Sequence, residues 1–236
     1  SNIPIHTLGL GQKNILYLSL FIAELENSSS KHEVNILLIE EPEAHLHPQL
    51  QKILFSNLSN LKSTQVFMTS HSTHVASDCN YKNLNVIYRN FDKEVKSFSP
   101  FKEGLLSERE NMLLKRYLDA TRSEMFFASA IIYVEGVGEQ FIIPAIAEEV
   151  YGINLTENNI SVIPIHSRYF DPYLKLVYKG NLEIPSVAII DGDEDELEEE
   201  ETETSAVENA QKYKVKDRVL ITSGKKTLEI DLFPDA

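Results

Sequence analysis

Apolar residues along the chain gather into short continuous runs bounded by polar segments, and these alternate with stretches whose apolar positions recur every three to four residues. Runs of the first kind read as strands buried on both faces, as in a parallel sheet. The pattern predicts strands at 34–40, 65–69, 130–135, 161–165, 187–191 and 218–222, and helices at 13–25, 48–61, 108–121 and 139–151, the second opening on Pro48. Strands that alternate with helices give an α/β class with crossover connections. No internal repeat is visible.

The pattern changes character across 90–106, where "NFDKEVKSFSPFKEG" mixes turn residues with a short alternating strand before a charged helix begins. The expected domains are therefore 1–98, a connector helix across 99–128, and 129–236. The amphipathic pattern of the connector, "LLKRYLDATRSEMFF", is read as plain packing.

Composition narrows the class. A chain of 236 residues with 42% hydrophobic content can bury one large core or two ordinary ones. The single cysteine, Cys79, excludes an internal disulfide and has no motif around it. No leader or apolar run of membrane-spanning length occurs in these residues, so the expectation is a cytoplasmic protein with no membrane partner. The formal charge of −14 opposes nucleic-acid binding by the chain as a whole. Much of that excess, however, lies in the run "DGDEDELEEEETE" at 191–203. Such a run is ordinarily a solvated loop, but this one directly follows the apolar segment "IPSVAII", at the mouth of a buried strand, where open α/β sheets commonly hold their ligands.

In the first half, "NILLIEEPEAHLHP" is an apolar strand ending in two carboxylates and a proline. It resembles a Walker B strand followed by a D-loop, which implies that Glu40 helps position Mg²⁺ and that Glu41 orients the attacking water. A second apolar strand then leads to "TSHST", with His71 at the place of the switch histidine of ABC-type ATPases. Upstream, "LGLGQKN" resembles the signature loop that such ATPases present to a partner's nucleotide, with Gly9 and Gly11 permitting close backbone approach. No G-x-x-x-x-G-K-[ST] phosphate loop occurs in these residues. The expectation is thus the C-terminal lobe of a larger ATPase, unable to hydrolyse ATP alone. His45 and His47 lie in a turn without the further ligands that a metal site needs.

In the second half, "AIIYVEG" ends a strand at Glu135, and Glu139 opens the following helix four residues later. Acids there can simply complement the helix dipole, or can aim at one point above the sheet edge. A later strand ends in "IIDGDEDE", where Asp191 and Asp193 face one side if the chain stays extended. The interval between these strands accommodates two crossovers, so all these acids would open on one edge. Two carboxylates about 4 Å apart repel by about 4 kcal/mol at an effective dielectric near 20. Such a cluster calls for a hard divalent cation, Mg²⁺ or Mn²⁺, which activates water and stabilises a departing phosphodiester oxygen.

"VEGVGE" followed by "IDGDED" resembles the Toprim fold of topoisomerases, primases and nucleases. An ABC-type ATPase half, then "LDATRSEMFFASAIIYVEG", then Toprim, is similar to the OLD (overcoming lysogenization defect) family of ATP-dependent nucleases. The resemblance implies that Glu135, Asp191 and Asp193 bind one metal, and that Glu139 serves a second metal or acts as a base. It also implies that Glu229, in "KKTLEIDL", is a second-metal ligand, with Lys225 or Lys226 touching phosphate. Family members are expected to carry a catalytic lysine further along, which does not occur in these residues, and "IPIHSRYF" stands where a glycine is expected near His166 or Ser167.

The function expected from the resemblance is a metal-dependent DNA endonuclease or nickase governed by an adjoining ATPase, in phage defence. Its partners would be DNA, a second copy joined through the ATPase part, and a separate defence protein. The alternative is an ATP-gated DNA clamp with an inactive Toprim domain. Strand passage and primer synthesis lack their companion tyrosine and polymerising core.

Overall fold

The computed structural model describes residues 4–28, 35–61, 64–74, 83–90, 92–118, 120–191 and 206–224. They pack as two compact units, Ser1–Asn83 and Leu84–Ala236. The division falls earlier than the turn-rich composition of 90–106 suggests. That stretch closes an antiparallel hairpin of the second unit, β3 (Val86–Arg89) with β4 (Val95–Phe98). Its turn is built locally: Asn90 Oδ1 accepts from the Glu94 N–H at 2.9 Å, and Lys93 takes a left-handed φ of 62°. The hairpin is tied into its unit by Tyr88, whose hydroxyl donates to the Asn181 carbonyl at 2.9 Å and accepts from the Glu183 N–H at 3.1 Å.

The first unit is a helix, α1 (Leu10–Ser28), followed by two parallel strands, β1 (Asn35–Glu40) and β2 (Thr64–Thr69), joined through α2 (Pro48–Ser59). Proline at the first turn of α2 gives up an N–H that would have no helical partner anyway. One sheet face packs Leu37, Ile39, Val66 and Met68 with Leu54, Phe55 and Leu58 of α2 and Ile15, Leu18 and Ile22 of α1. Residues of the other face, Ile36, Leu38 and Phe67, are more than half exposed. In register, Glu40 lies beside Thr69, so the strand-end acids and the segment after β2 open on one edge.

The second unit centres on a four-stranded, all-parallel sheet of order β6-β5-β7-β8: β5 (Ala130–Val134), β6 (Ile160–Pro164), β7 (Ser186–Ile190) and β8 (Val219–Ser223). Its helices of six or more residues are α3 (Glu108–Tyr117), α4 (Val137–Tyr151), α5 (Asp171–Val177) and α6 (Ala206–Gln211), with one further helical turn at Ala120–Ser123. Ile131, Tyr133 and Val134 on β5 and Ala188 and Ile190 on β7 are almost completely buried, as expected of central parallel strands, and so are Ile163 and Val219 on the two edge strands. The predicted α/β class holds. Two short helices, α5 and α6, were not anticipated, because seven and six residues are too few to display a helical period.

The strand order has one consequence for function. From β5 the chain crosses to β6 on one side, whereas β7 lies on β5's other side and leads away to β8. The sheet therefore reverses its winding between β5 and β7, and in open α/β sheets the crevice outside the carboxyl ends at such a point is where ligands bind.

Candidate active site

Glu135 and Asp191 are the first residues beyond β5 and β7. The ladder aligns Tyr133 with Ala188, which carries the two chain ends out side by side. The Asp191 N–H donates to Glu135 Oε1 at 2.9 Å, and Arg168 Nε approaches Glu135 Oε2 at 4.0 Å. Burial pushes the Glu135 carboxyl above its ordinary value, the Asp191 N–H and the Arg168 charge oppose this, and the neighbouring charges of Asp191 and Glu139 add to the rise. A carboxylate so placed is held by its surroundings at a cost that a bound cation would relieve.

Glu139, in the first turn of α4, is 6% exposed. Its carboxylate folds back over the turn, and a Cβ at Gly136 would lie 3.0 Å from Glu139 Oε2. Gly136 thus supplies space, with φ in the ordinary extended range at −129°. The structure brings Glu135, Glu139 and Asp191 to one strand edge. Among the described residues, no group of three histidine, cysteine or acidic side chains is arranged to hold a metal ion. Asp193, Glu229, Lys225 and Lys226 lie outside the described residues. The donor set that is present, the carboxylate oxygens of a half-buried Glu135 and of Glu139 and Asp191 near it, is of the chemical kind that a hard divalent cation takes.

The glycine that the family pattern leads one to expect after β6 is replaced by His166, which adopts the left-handed φ of 57° that glycine favours. Its N–H donates to the Glu135 main-chain carbonyl at 2.8 Å. The backbone demand at this position is therefore real and is met by histidine.

In the first unit, Glu40 ends β1 and Glu41 follows it with a positive φ of 42°. The Glu41 N–H donates to the Thr69 carbonyl at 3.1 Å, and His71 Nε2 lies 3.4 Å from Glu41 Oε1. Two residues singled out separately in sequence thus meet at one sheet edge. Gly11 is a point of close approach, and the approaching group is the His45 carbonyl: a Cβ there would come within 2.3 Å of that oxygen. Gly9 is not crowded, the nearest atom to its Cβ position being Gln12 Oε1 at 3.9 Å. Cys79 lies outside the described residues.

Sequence reasoning passed over Glu43. Its Oε1 accepts from the Ser70 hydroxyl and from the His71 N–H at 3.2 Å, so it pins the segment carrying His71 to the turn after β1. Its Oε2 is buried with no hydrogen-bond partner among the described residues. A third acid two residues beyond the strand-end pair, in a turn facing "SHS", was the signal available.

Fold and site together define an α/β protein with a strand-and-switch unit of ATPase type and a parallel-sheet unit whose acids flank a winding reversal. Residues 1–76 match the AAA ATPase domain, and residues 126–193 match the TOPRIM domain of overcoming lysogenization defect protein-like proteins. The chain is 29% identical over 220 residues to the endonuclease GajA of Bacillus cereus (strain HuB5-5), covering 81% of this chain and 32% of that protein. It is 27% identical over 144 residues to the OLD nuclease of Thermus scotoductus (strain ATCC 700910 / SA-01), covering 58% and 27%. Among solved structures, the C-terminal region of the Xanthomonas campestris pv. campestris OLD protein aligns with a TM-score of 0.33 at 31% identity, over 46% of this chain and 57% of that one. The chain therefore joins a segment that matches an AAA ATPase domain to one that matches an OLD-like TOPRIM domain, and it is similar over part of their length to proteins named as nucleases. It spans about a third or less of the length of the curated relatives it matches.

Proposed function

We propose that the second unit is a divalent-metal-dependent DNA endonuclease or nickase module whose action is governed by the ATPase unit. The observation that carries this reading is the meeting of Glu135 and Asp191 at the winding reversal of the sheet, with Glu139 beside them. The TOPRIM match over 126–193 and the nuclease names of the relatives support it.

Glu135, Glu139 and Asp191, with Asp193 and Glu229, would hold Mg²⁺ or Mn²⁺. When bound, the cation supplies a water of lowered pKa and neutralises charge on the phosphodiester. The chain's own contribution is orientation. The Asp191 N–H fixes one oxygen of Glu135, and burial keeps bulk water from screening it. In the first unit, Glu40, Glu41 and His71 are assigned to ATP and its Mg²⁺, with Gly9 and Gly11 in the signature segment. Assembly with a second copy through the ATPase part, a separate defence protein as partner, and a role in phage defence belong to the same proposal and rest on the family resemblance.

The test is nicking of supercoiled plasmid with Mn²⁺ or Mg²⁺ by the wild-type chain, Glu135→Ala and Asp191→Ala. Both substitutions are expected to abolish cleavage. Undiminished cleavage by both would remove the assignment.

A further inference from the structure

The loop that leaves β6 carries His166, Ser167 and Arg168, all exposed, at the same strand edge as Glu135. It is anchored on both sides of Arg168. Before it, the His166 N–H is bound to the Glu135 carbonyl, and His166 takes a left-handed φ. After it, the Tyr169 N–H donates to Ser167 Oγ at 3.0 Å, and the Tyr169 hydroxyl donates to Glu110 Oε1 at 3.1 Å. Glu110 is itself 2% exposed and is held by Lys175 Nζ at 2.7 and 2.8 Å. A long cationic side chain is thus mounted on a fixed piece of backbone beside the acids.

The contact of Arg168 with Glu135 is long, 4.0 Å, and 57% of the arginine side chain is exposed. Pairs of this kind contribute little to folding and exchange readily. A cation arriving at Glu135 would take over the neutralisation of that carboxylate. The guanidinium is a planar fork matched to two oxygens of a phosphate. In a chain of net charge −14, a nucleic-acid backbone approaching Glu135, Glu139 and Asp191 is repelled unless a protein cation receives it.

We propose that Arg168 is a substrate-binding residue that grips a backbone phosphate of the nucleic acid beside the Glu135–Asp191 edge and exchanges its contact with Glu135 for that phosphate. The inference rests on the nuclease reading above. It makes His166, Ser167 and Tyr169 positioning residues, since they act by fixing the backbone on either side of the arginine.

The experiment compares the full chain with Arg168→Ala, Arg168→Lys and Glu135→Ala. Mn²⁺ binding is followed by isothermal titration, binding of a short fluorescein-labelled DNA duplex by anisotropy across a salt series, and plasmid nicking in parallel. Arg168→Ala is expected to bind Mn²⁺ at least as tightly as wild type and the duplex about tenfold more weakly. Its salt dependence should be shallower by about one unit of log–log slope. Arg168→Lys should regain the slope, because one charge still displaces one counterion, but not the full affinity, because an ammonium lacks the fork. Wild-type duplex affinity and slope in Arg168→Ala would overturn the inference. So would loss of Mn²⁺ binding in step with DNA binding, since the arginine would then serve only to hold Glu135. If Glu135→Ala abolishes nicking while Arg168→Ala changes neither binding nor slope, this inference alone falls. If Glu135→Ala nicks normally, the nuclease reading falls and takes the inference with it.

Discussion

The main-chain N–H of Asp191 donates to Oε1 of Glu135 at 2.9 Å, so the acid that ends one central strand is held by the backbone that ends its neighbour. Burial and the charges of Asp191 and Glu139 all disfavour the ionised form of Glu135. Replacing Glu135 with glutamine keeps an acceptor for the Asp191 N–H and removes the charge. Glu135→Gln is therefore expected to raise the melting temperature of the metal-free chain at pH 7 by about 2–4 °C, the size that about 1 kcal/mol produces at this length. It should also abolish the rise on adding Mn²⁺ that the proposed metal site predicts for wild type. Thermal unfolding in EDTA and in Mn²⁺ checks both. A melting temperature that falls in EDTA would show that the charge stabilises the fold.

Gly136 leaves the space into which the Glu139 carboxylate folds. A methyl group there would sit against Glu139 Oε2, the movable end of a side chain, so Gly136→Ala should shift the carboxylate and leave the fold intact. The expected result is a stability change within about 1 kcal/mol, with nicking lowered by about tenfold or more. Unchanged nicking would mean that Glu139 need not occupy its observed position.

Glu110 is shared by two structures at once. It completes the capping box of α3 with Ser107, and it receives both hydrogen bonds from Lys175 on α5. Burial pushes its carboxyl up, but the bonds from Lys175 and Ser107 outweigh this and hold it below the ordinary 4.5. A depressed folded-state value gives stability that is present above about pH 4.5 and is lost as pH falls through the folded value. Glu110→Ala should cost about 2–3 kcal/mol near neutrality, less than a fully buried pair because Lys175 keeps 30% of its side chain exposed. Urea unfolding at pH 7 and again below pH 4.5 measures this. The deficit relative to wild type should shrink in acid, and a deficit that stays constant would remove the ion-pair account.

Gly11 and Gly9 separate a structural requirement from a loose resemblance. A Cβ on Gly11 meets the His45 carbonyl, a backbone atom that cannot swing away, whereas one on Gly9 meets nothing nearer than 3.9 Å. Gly11→Ala should destabilise the first unit by about 1–3 kcal/mol, and Gly9→Ala by less than about 0.5 kcal/mol. Equal effects in chemical denaturation would remove the packing explanation for Gly11.

The strand-and-helix alternation, the α/β class and the acids at strand ends were legible in the sequence. Each is a statement about one segment, and the burial of a segment is written in its own periodicity. Thus 187–191 was readable as a strand ending in acid without knowing what lay beside it. The same local logic read 108–121 as one helix, where α3 ends at Tyr117 and a separate short helix takes Ala120–Ser123, and it saw one short strand in 90–106 without its hairpin partner.

The sequence leads one to expect Glu135 and Asp191 to open on one edge, but only the tertiary structure decided that their strands are direct neighbours. The sheet order β6-β5-β7-β8 places Asp191 against Glu135 across 56 residues of chain, and the choice of side at each crossover depends on packing that no short window records. For the same reason Arg168 beside Glu135, Lys175 on Glu110, and the His45 carbonyl over Gly11 were not visible beforehand. Sequence specified which residues carry charge and which segments are buried. The balance of desolvation against contacts between distant segments determined which charges became neighbours.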